Sequence, residues 1–272
     1  MEKKQLLNKT FEEIVYYKTG SGPAILLVHG FPANAELWRF VVPALAEKYT
    51  VILPDFFGKE KIWLKDNETS TLLLAESFND ILAHEKLEKI LYIGHSMGGY
   101  MGLEFASRYP EKLAGLSLVH SSPLPDDEAR AEGRRKTVAI LQQGGKRLFL
   151  KKMVPALFAP AFLESNPEIV DRQLNESVQV NDESLAAFYK AIMERRETTA
   201  TTKNAGFPVQ TIIGKKDSIS NITKELAGEI LANINFVRVY ENTGHMAMLE
   251  NSRELNVDLL EFAAYCWSRN KA

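Results

Sequence analysis

Between the apolar run Ile90-Leu91-Tyr92-Ile93 and the helical pattern from Tyr100 to Arg108, the chain turns within Gly94-His95-Ser96-Met97-Gly98-Gly99. A buried strand, a tight turn and a helix in that order constrain the fold more than any other feature, because they demand a sheet with a helix packed on its face. A serine on such a turn is held in a strained backbone conformation that lifts its hydroxyl clear of the sheet. Glycines two before and two after it, here Gly94 and Gly98, remove side chains that would collide. The competing reading of Ser96 is a serine that only caps the following helix.

The surrounding pattern repeats the strand-to-helix alternation. Apolar runs at Phe11 to Tyr17, Ala24 to Val28, Val51 to Pro54, Ile90 to Ile93 and Leu116 to Val119 each give way to Gly, Asp, Ser or another turn-forming residue. Two more, Val209 to Ile213 and Phe236 to Tyr240, precede a closing helix from about Ser252 to Trp267. This predicts an α/β fold with a mostly parallel sheet, whose ligands bind beyond the carboxyl ends of the strands. From Pro123 to Asn204 the strand-like runs vanish and apolar residues recur at helical spacing, as in Val138 to Leu141, Leu148 to Phe158 and Leu185 to Ile192. The mixed charges there, among them Arg134, Arg135, Lys151 and Lys152, read as a solvated face rather than an anion site.

A serine hydroxyl needs a base, and the base needs a group that fixes its tautomer. Of the five histidines, His84 lies in a helical stretch, His29 and His95 belong to turn motifs, and His120 ends a strand. His245 sits in the loop Asn242-Thr243-Gly244-His245-Met246 after the last strand, which makes it the expected base. Asp217, closing Ile213-Gly214-Lys215-Lys216-Asp217, is the expected acid, with Glu241 as the weaker alternative. The order Ser96, Asp217, His245 is that of serine, acid, histidine. Oxyanion donors are expected from the amides of Met97, after the serine, and Phe31, in the loop His29-Gly30-Phe31-Pro32. Pro32 has no amide hydrogen.

Composition excludes several classes. A formal charge of −2 and a pI near 6.3 leave no basic excess for nucleic acid or an anionic membrane surface. The single cysteine, Cys266, permits no intramolecular disulfide and reads as a helix packing residue. The polar start Met1-Glu2-Lys3-Lys4-Gln5 lacks a signal-peptide pattern, and no run of about 18 apolar residues occurs, so a cytoplasmic protein without a membrane span is expected. A small-molecule substrate is the expected partner.

These motifs closely resemble the α/β-hydrolase superfamily, in the branch of small esterases, lactonases, carbon-carbon bond hydrolases, epoxide hydrolases and dehalogenases. The resemblance rests on His29-Gly30-Phe31-Pro32 with Trp38, Pro54-Asp55, Gly94 to Gly99, Gly214 with Asp217, and Gly244-His245, and it runs over nearly the whole chain. It implies a sheet of about eight strands flanked by helices, a core of residues 1–122 and 205–272, and a helical cap over 123–204. Serine at the turn, where dehalogenases and epoxide hydrolases carry aspartate, points to cleavage of an ester or thioester through an acyl-enzyme with no cofactor and no metal. Carbon-carbon hydrolase, lyase or acyltransferase chemistry on the same triad is the alternative, and a ligand receptor with negligible turnover is another. Substrate contacts are expected from His29, Gly30, Trp38, His120 and Met246, Trp38 serving either the pocket or its own helix. An acyl pocket would draw on Phe31, Met97, Leu148, Met153, Phe158, Phe162 and Met246. One departure is Gly58-Lys59-Glu60, where the family usually has a second glycine two residues after the first. The chain is expected to act as a monomer or homodimer.

Overall fold

A computed structural model describes residues 1–7, 13–56, 69–219 and 232–270. The strand start expected at Phe11 and the Gly58 loop lie outside them. Eight strands form one sheet in the order β1-β2-β4-β3-β5-β6-β7-β8. They are β1 (Glu2–Leu6), β2 (Ile14–Thr19), β3 (Ala24–Val28), β4 (Thr50–Pro54), β5 (Ile90–His95), β6 (Leu113–Val119), β7 (Val209–Gly214) and β8 (Asn235–Tyr240). From β4 to β8 all neighbours run parallel, whereas β2 pairs antiparallel with both β1 and β4.

Every residue of β3, β5 and β6 is buried, as expected of parallel strands covered on both faces. That is why they read as continuous apolar runs. β1 is the strand the sequence pattern missed. Its residues, Glu-Lys-Lys-Gln-Leu, are mostly exposed at the sheet edge, so no apolar run announces it.

The helices are α1 (Val42–Ala46), α2 (Thr71–His84), α3 (Met97–Arg108), α4 (Glu128–Gln142), α5 (Lys146–Ala156), α6 (Pro160–Ser165), α7 (Pro167–Val178), α8 (Asp182–Met193) and α9 (Thr199–Lys203). A short helix, Ala247–Glu250, and a long one, Ser252–Arg269, follow β8. All of α4 to α9 lies between β6 and β7. Several helices start where a polar side chain takes up a free amide: Ser70 accepts from Leu73 at α2, Asp127 from Arg130 at α4, and Asn181 from Glu183 and Ser184 at α8. Cys266 is buried, with its sulfur where a side chain on Gly115 of β6 would fall. Burial pushes its thiol up to about 12, which fits packing and not reactivity.

The register decides what the site contains. Val28 lies beside Gly94, His95 beside Val119, Val119 beside Ile212, and Gly214 beside Tyr240. The parallel strands therefore end nearly level, and the loops that follow β3, β5, β6, β7 and β8 emerge side by side.

Candidate active site

Ser96 follows β5 directly, with φ 50° and ψ −114°. The strain expected from sequence is present. A side chain on Gly94 would come within 2.5 Å of the Gly98 backbone, and one on Gly98 within 2.5 Å of the Val28 carbonyl oxygen. The turn is thus folded against itself on one side and against β3 on the other. It is held by Ser96 N–H donating to Val119 O (2.9 Å) and by the Ser121 hydroxyl donating to Ser96 O (2.8 Å). Met97 opens α3, so its amide has no acceptor within the helix and belongs to the positive end of the helix dipole.

Asp217 and His245 meet. Nδ1 of His245 lies 2.7 Å from Oδ2 of Asp217, and the Ile219 amide donates to Oδ1 at 2.8 Å. Glu241 instead pairs with Lys215 at 2.6 Å, both exposed, so of the two acids it is Asp217 that touches the imidazole. Burial alone would raise the Asp217 carboxyl, but the His245 and His120 imidazoles outweigh it and hold it far below the usual carboxylate range.

His120 takes a place the sequence did not suggest. It was expected at the substrate, but it is fully buried behind the acid with Nδ1 3.1 Å from Asp217 Oδ2. The reason is strand order: β6 lies beside β7, so the residue after β6 abuts the loop after β7. Burial pushes the His120 imidazole down, against the opposing pull of the Asp217 carboxylate. Its Nε2 has no partner among the described residues. The atoms of His120, Asp217 and His245 lie within 4.8 Å of one another, a set that could ligate a metal. Here both imidazoles are engaged in hydrogen bonds to the shared carboxylate.

His95 is buried against the base, ring centroids 4.8 Å apart. Its Nε2–H donates to the His245 carbonyl at 2.8 Å, and burial, then the neighbouring His245 and His120 rings, hold it well below the usual range. His29 accepts the Phe56 amide on Nε2 (3.0 Å) and places Nδ1 3.0 Å from the Gly30 carbonyl. Burial lowers it to about 4.

Glu250 is a functional-site residue absent from the sequence-based candidates. Its carboxylate accepts the amides of Gly244 (3.0 Å), Met246 (3.0 Å) and Ala159 (2.9 Å). The His245 amide donates to Leu157 O at 2.7 Å. The histidine loop is thereby clamped to the end of α5. The one available sequence signal is an acid four residues past Met246, within reach of the loop's amides.

Above Ser96 and His245 lies a cavity of about 380 Å³, within the usual range for small-molecule sites. Among the described residues it is lined by Phe31 from the loop after β3, Ser218 and Ile219 beside Asp217, Leu157 just past α5, and Tyr100, Met153, Tyr189 and Ile192 from helices. Arg130, Gly133, Arg134 and Thr137 of α4 complete the wall. His29, Gly30, Trp38, His120 and Met246, expected at the substrate, do not line it. Trp38 is fully buried and packs edge-on against His95 at 6.4 Å, which makes it a prop beneath the turn. Gly30 is where a side chain would strike the His95 ring, 2.5 Å from Nδ1. Of the expected acyl pocket, Phe31 and Met153 line the cavity, whereas Leu148 is 75% exposed. Ser96 and His245 share the cavity wall, with no hydrogen bond between their side chains.

Residues 23–252 match the family model for the alpha/beta hydrolase fold, and the chain belongs to that family. An esterase from Thermogutta terrifontis, solved with malate bound, is 25% identical with a TM-score of 0.89 over 98% of this chain and 99% of that one. The dihydrolipoyllysine-residue acetyltransferase component of the acetoin cleaving system of Pseudomonas putida is 28% identical over 246 residues, 89% of this chain and 63% of the relative. An uncharacterized protein of Mycobacterium tuberculosis is 35% identical over 108 residues, 40% of this chain but 32% of the relative. The chain thus spans about a third of the length of that relative and under two thirds of the acetyltransferase component. No helix among the described residues is long and apolar enough to cross a membrane.

Proposed function

We propose that this protein is a serine hydrolase that cleaves a carboxylic ester or thioester through an acyl-enzyme. The observation that carries the reading is the 2.7 Å Asp217–His245 bond, whose imidazole shares a cavity wall with a serine held at φ 50°. In this mechanism Ser96 Oγ adds to the substrate carbonyl as His245 Nε2 takes its proton. Asp217 fixes the tautomer that leaves Nε2 unprotonated and balances the imidazolium that forms. The oxyanion accepts from the amides of Met97 and Phe31. Collapse expels the alcohol or thiol, which takes the proton from His245, and water repeats the sequence in reverse to free the acid. The α4 to α9 helices serve as the cap that closes this space over the substrate.

The test is Ser96→Ala. It should abolish labelling by a fluorophosphonate and lower turnover of a p-nitrophenyl ester by several orders of magnitude, and retained labelling would remove Ser96 from the role. A second reading, transfer of the acyl group to a thiol or alcohol in place of water, is favoured by the likeness to the acetyltransferase component. It predicts that an added thiol captures the acyl group in competition with hydrolysis.

A further inference from the structure

The wall contributed by α4 has an unusual composition. Arg130, Gly133, Arg134 and Thr137 stand at i, i+3, i+4 and i+7, so one face of the helix looks onto the cavity. That face carries two guanidinium groups. The acids of α4 are elsewhere: Glu128 and Glu132 both pair with Arg135, an exposed residue (2.5 and 2.9 Å). Two arginines one turn apart repel each other on a helix, and the fold has not placed an acid between them.

Their partners differ. Arg134, read from sequence as part of a solvated face, is bound to Asp126, whose side chain is 1% exposed and is also held by Arg195 at 3.0 Å. One carboxylate thus serves two guanidiniums, and the cluster keeps an excess positive charge. Arg130 has no hydrogen bond or ion pair from its side chain among the described residues, although it is only partly exposed. No aspartate or glutamate lines the cavity among the described residues. A cavity wall with two cations and no anion, in a chain of net charge −2, presents a local field opposite in sign to that of the molecule.

We infer that the substrate of this site carries a carboxylate at the end remote from the scissile bond, received by Arg130 with Arg134 beside it. The inference rests on the hydrolase reading for its scissile bond but not for its anion site. A guanidinium fork matches the two oxygens of a carboxylate. Gly133, between the arginines, adds room, since a side chain built there meets nothing within 4 Å.

Two p-nitrophenyl esters of similar length test it, the butyrate and the hemisuccinate, of which only the second ends in a carboxylate. The readout is the ratio of kcat/KM for hemisuccinate over butyrate. It should exceed one in the wild type, fall roughly tenfold or more in Arg130→Gln, and recover in part in Arg130→Lys, which restores the charge without the fork. A ratio indifferent to Arg130→Gln overturns the inference and leaves ester hydrolysis standing. Calorimetric titration of Ser96→Ala with succinate and with succinamide supplies an arm that needs no turnover. Succinate binding that weakens in the Ser96→Ala, Arg130→Gln double variant and with added salt supports the site. Equal binding of acid and amide, or of neither, overturns it. Succinate binding without turnover of either ester would leave the anion site in place and sink the acyl-enzyme reading.

Discussion

The floor and the roof of the cavity are built on opposite principles. In the floor, at the strand ends, backbone approaches backbone, and a methyl group has no space at Gly94, Gly98 or Gly30. Among the described residues Asp217 accepts three bonds and His245 is held through its ring, its amide and its carbonyl, although His95 Nδ1 and His120 Nε2 have no partner there. In the roof, α4 buries only Leu141 of its own residues, has open space at Gly133 and carries Arg130, whose side chain has no hydrogen bond or ion pair among the described residues. The floor is specified by register and close packing; the roof has room to differ from one substrate to another. Chemistry that needs sub-ångström placement belongs on the first and recognition on the second.

The largest effect should come from the floor's charge. Asp217→Asn keeps the shape but stabilises the wrong imidazole tautomer, and turnover should drop by about four orders of magnitude, as in serine triads generally; a loss below tenfold would mean that the carboxylate does not orient the base. Next is Gly98→Ala, which drives a methyl toward the Val28 and His29 carbonyls and should cost about 3 kcal/mol of stability or more, read from denaturant midpoints. An unchanged midpoint would show the turn to be looser than its geometry.

The third effect is acid sensitivity of the floor. His29, His95 and His120 are all held below their ordinary value in the fold. The unfolded chain therefore takes up protons that the folded one refuses. The stability they confer is complete above the unfolded value near 6.5 and is lost as pH falls from there toward the folded values, about 4 for His29. At roughly 1.4 kcal/mol per pH unit, His29 alone accounts for about 3 kcal/mol by pH 4. Thermal melts between pH 7 and 4 check this, and a melting temperature flat across that window would contradict it. The smallest effect is in the roof: Gly133→Ala should raise stability by about 0.5 to 1 kcal/mol, because helix propensity improves and nothing is struck. A destabilised variant would show that the roof is as tightly packed as the floor.

The same contrast explains what could be read from the residues. The strands were legible where both faces are buried, and the nearness of Ser96, Asp217 and His245 to strand ends placed them in one neighbourhood, where the Asp217–His245 contact is found. β1 was not legible, since an exposed edge strand needs no apolar run. His120 was assigned to the wrong neighbour because its contact depends on β6 adjoining β7, which is a fact of strand order and not of local sequence. Arg134 read as surface because charge spacing on a helix cannot tell water from an internal cavity. Glu250 offered only its spacing from Met246, because the bond that ties it to the helices comes from Ala159, 91 residues away in the chain.

The Glu250 carboxylate ties the roof to the histidine loop, alongside the bond from the His245 amide to Leu157 O. It grips Ala159, just past α5, together with Gly244 and Met246, and the peptide between those two carries the imidazole. On the proposed reading, in which α4 to α9 form a cap and His245 carries the proton, displacing Ala159 outward would pull on the loop that holds the imidazole, so ligand entry and alignment for reaction would be coupled.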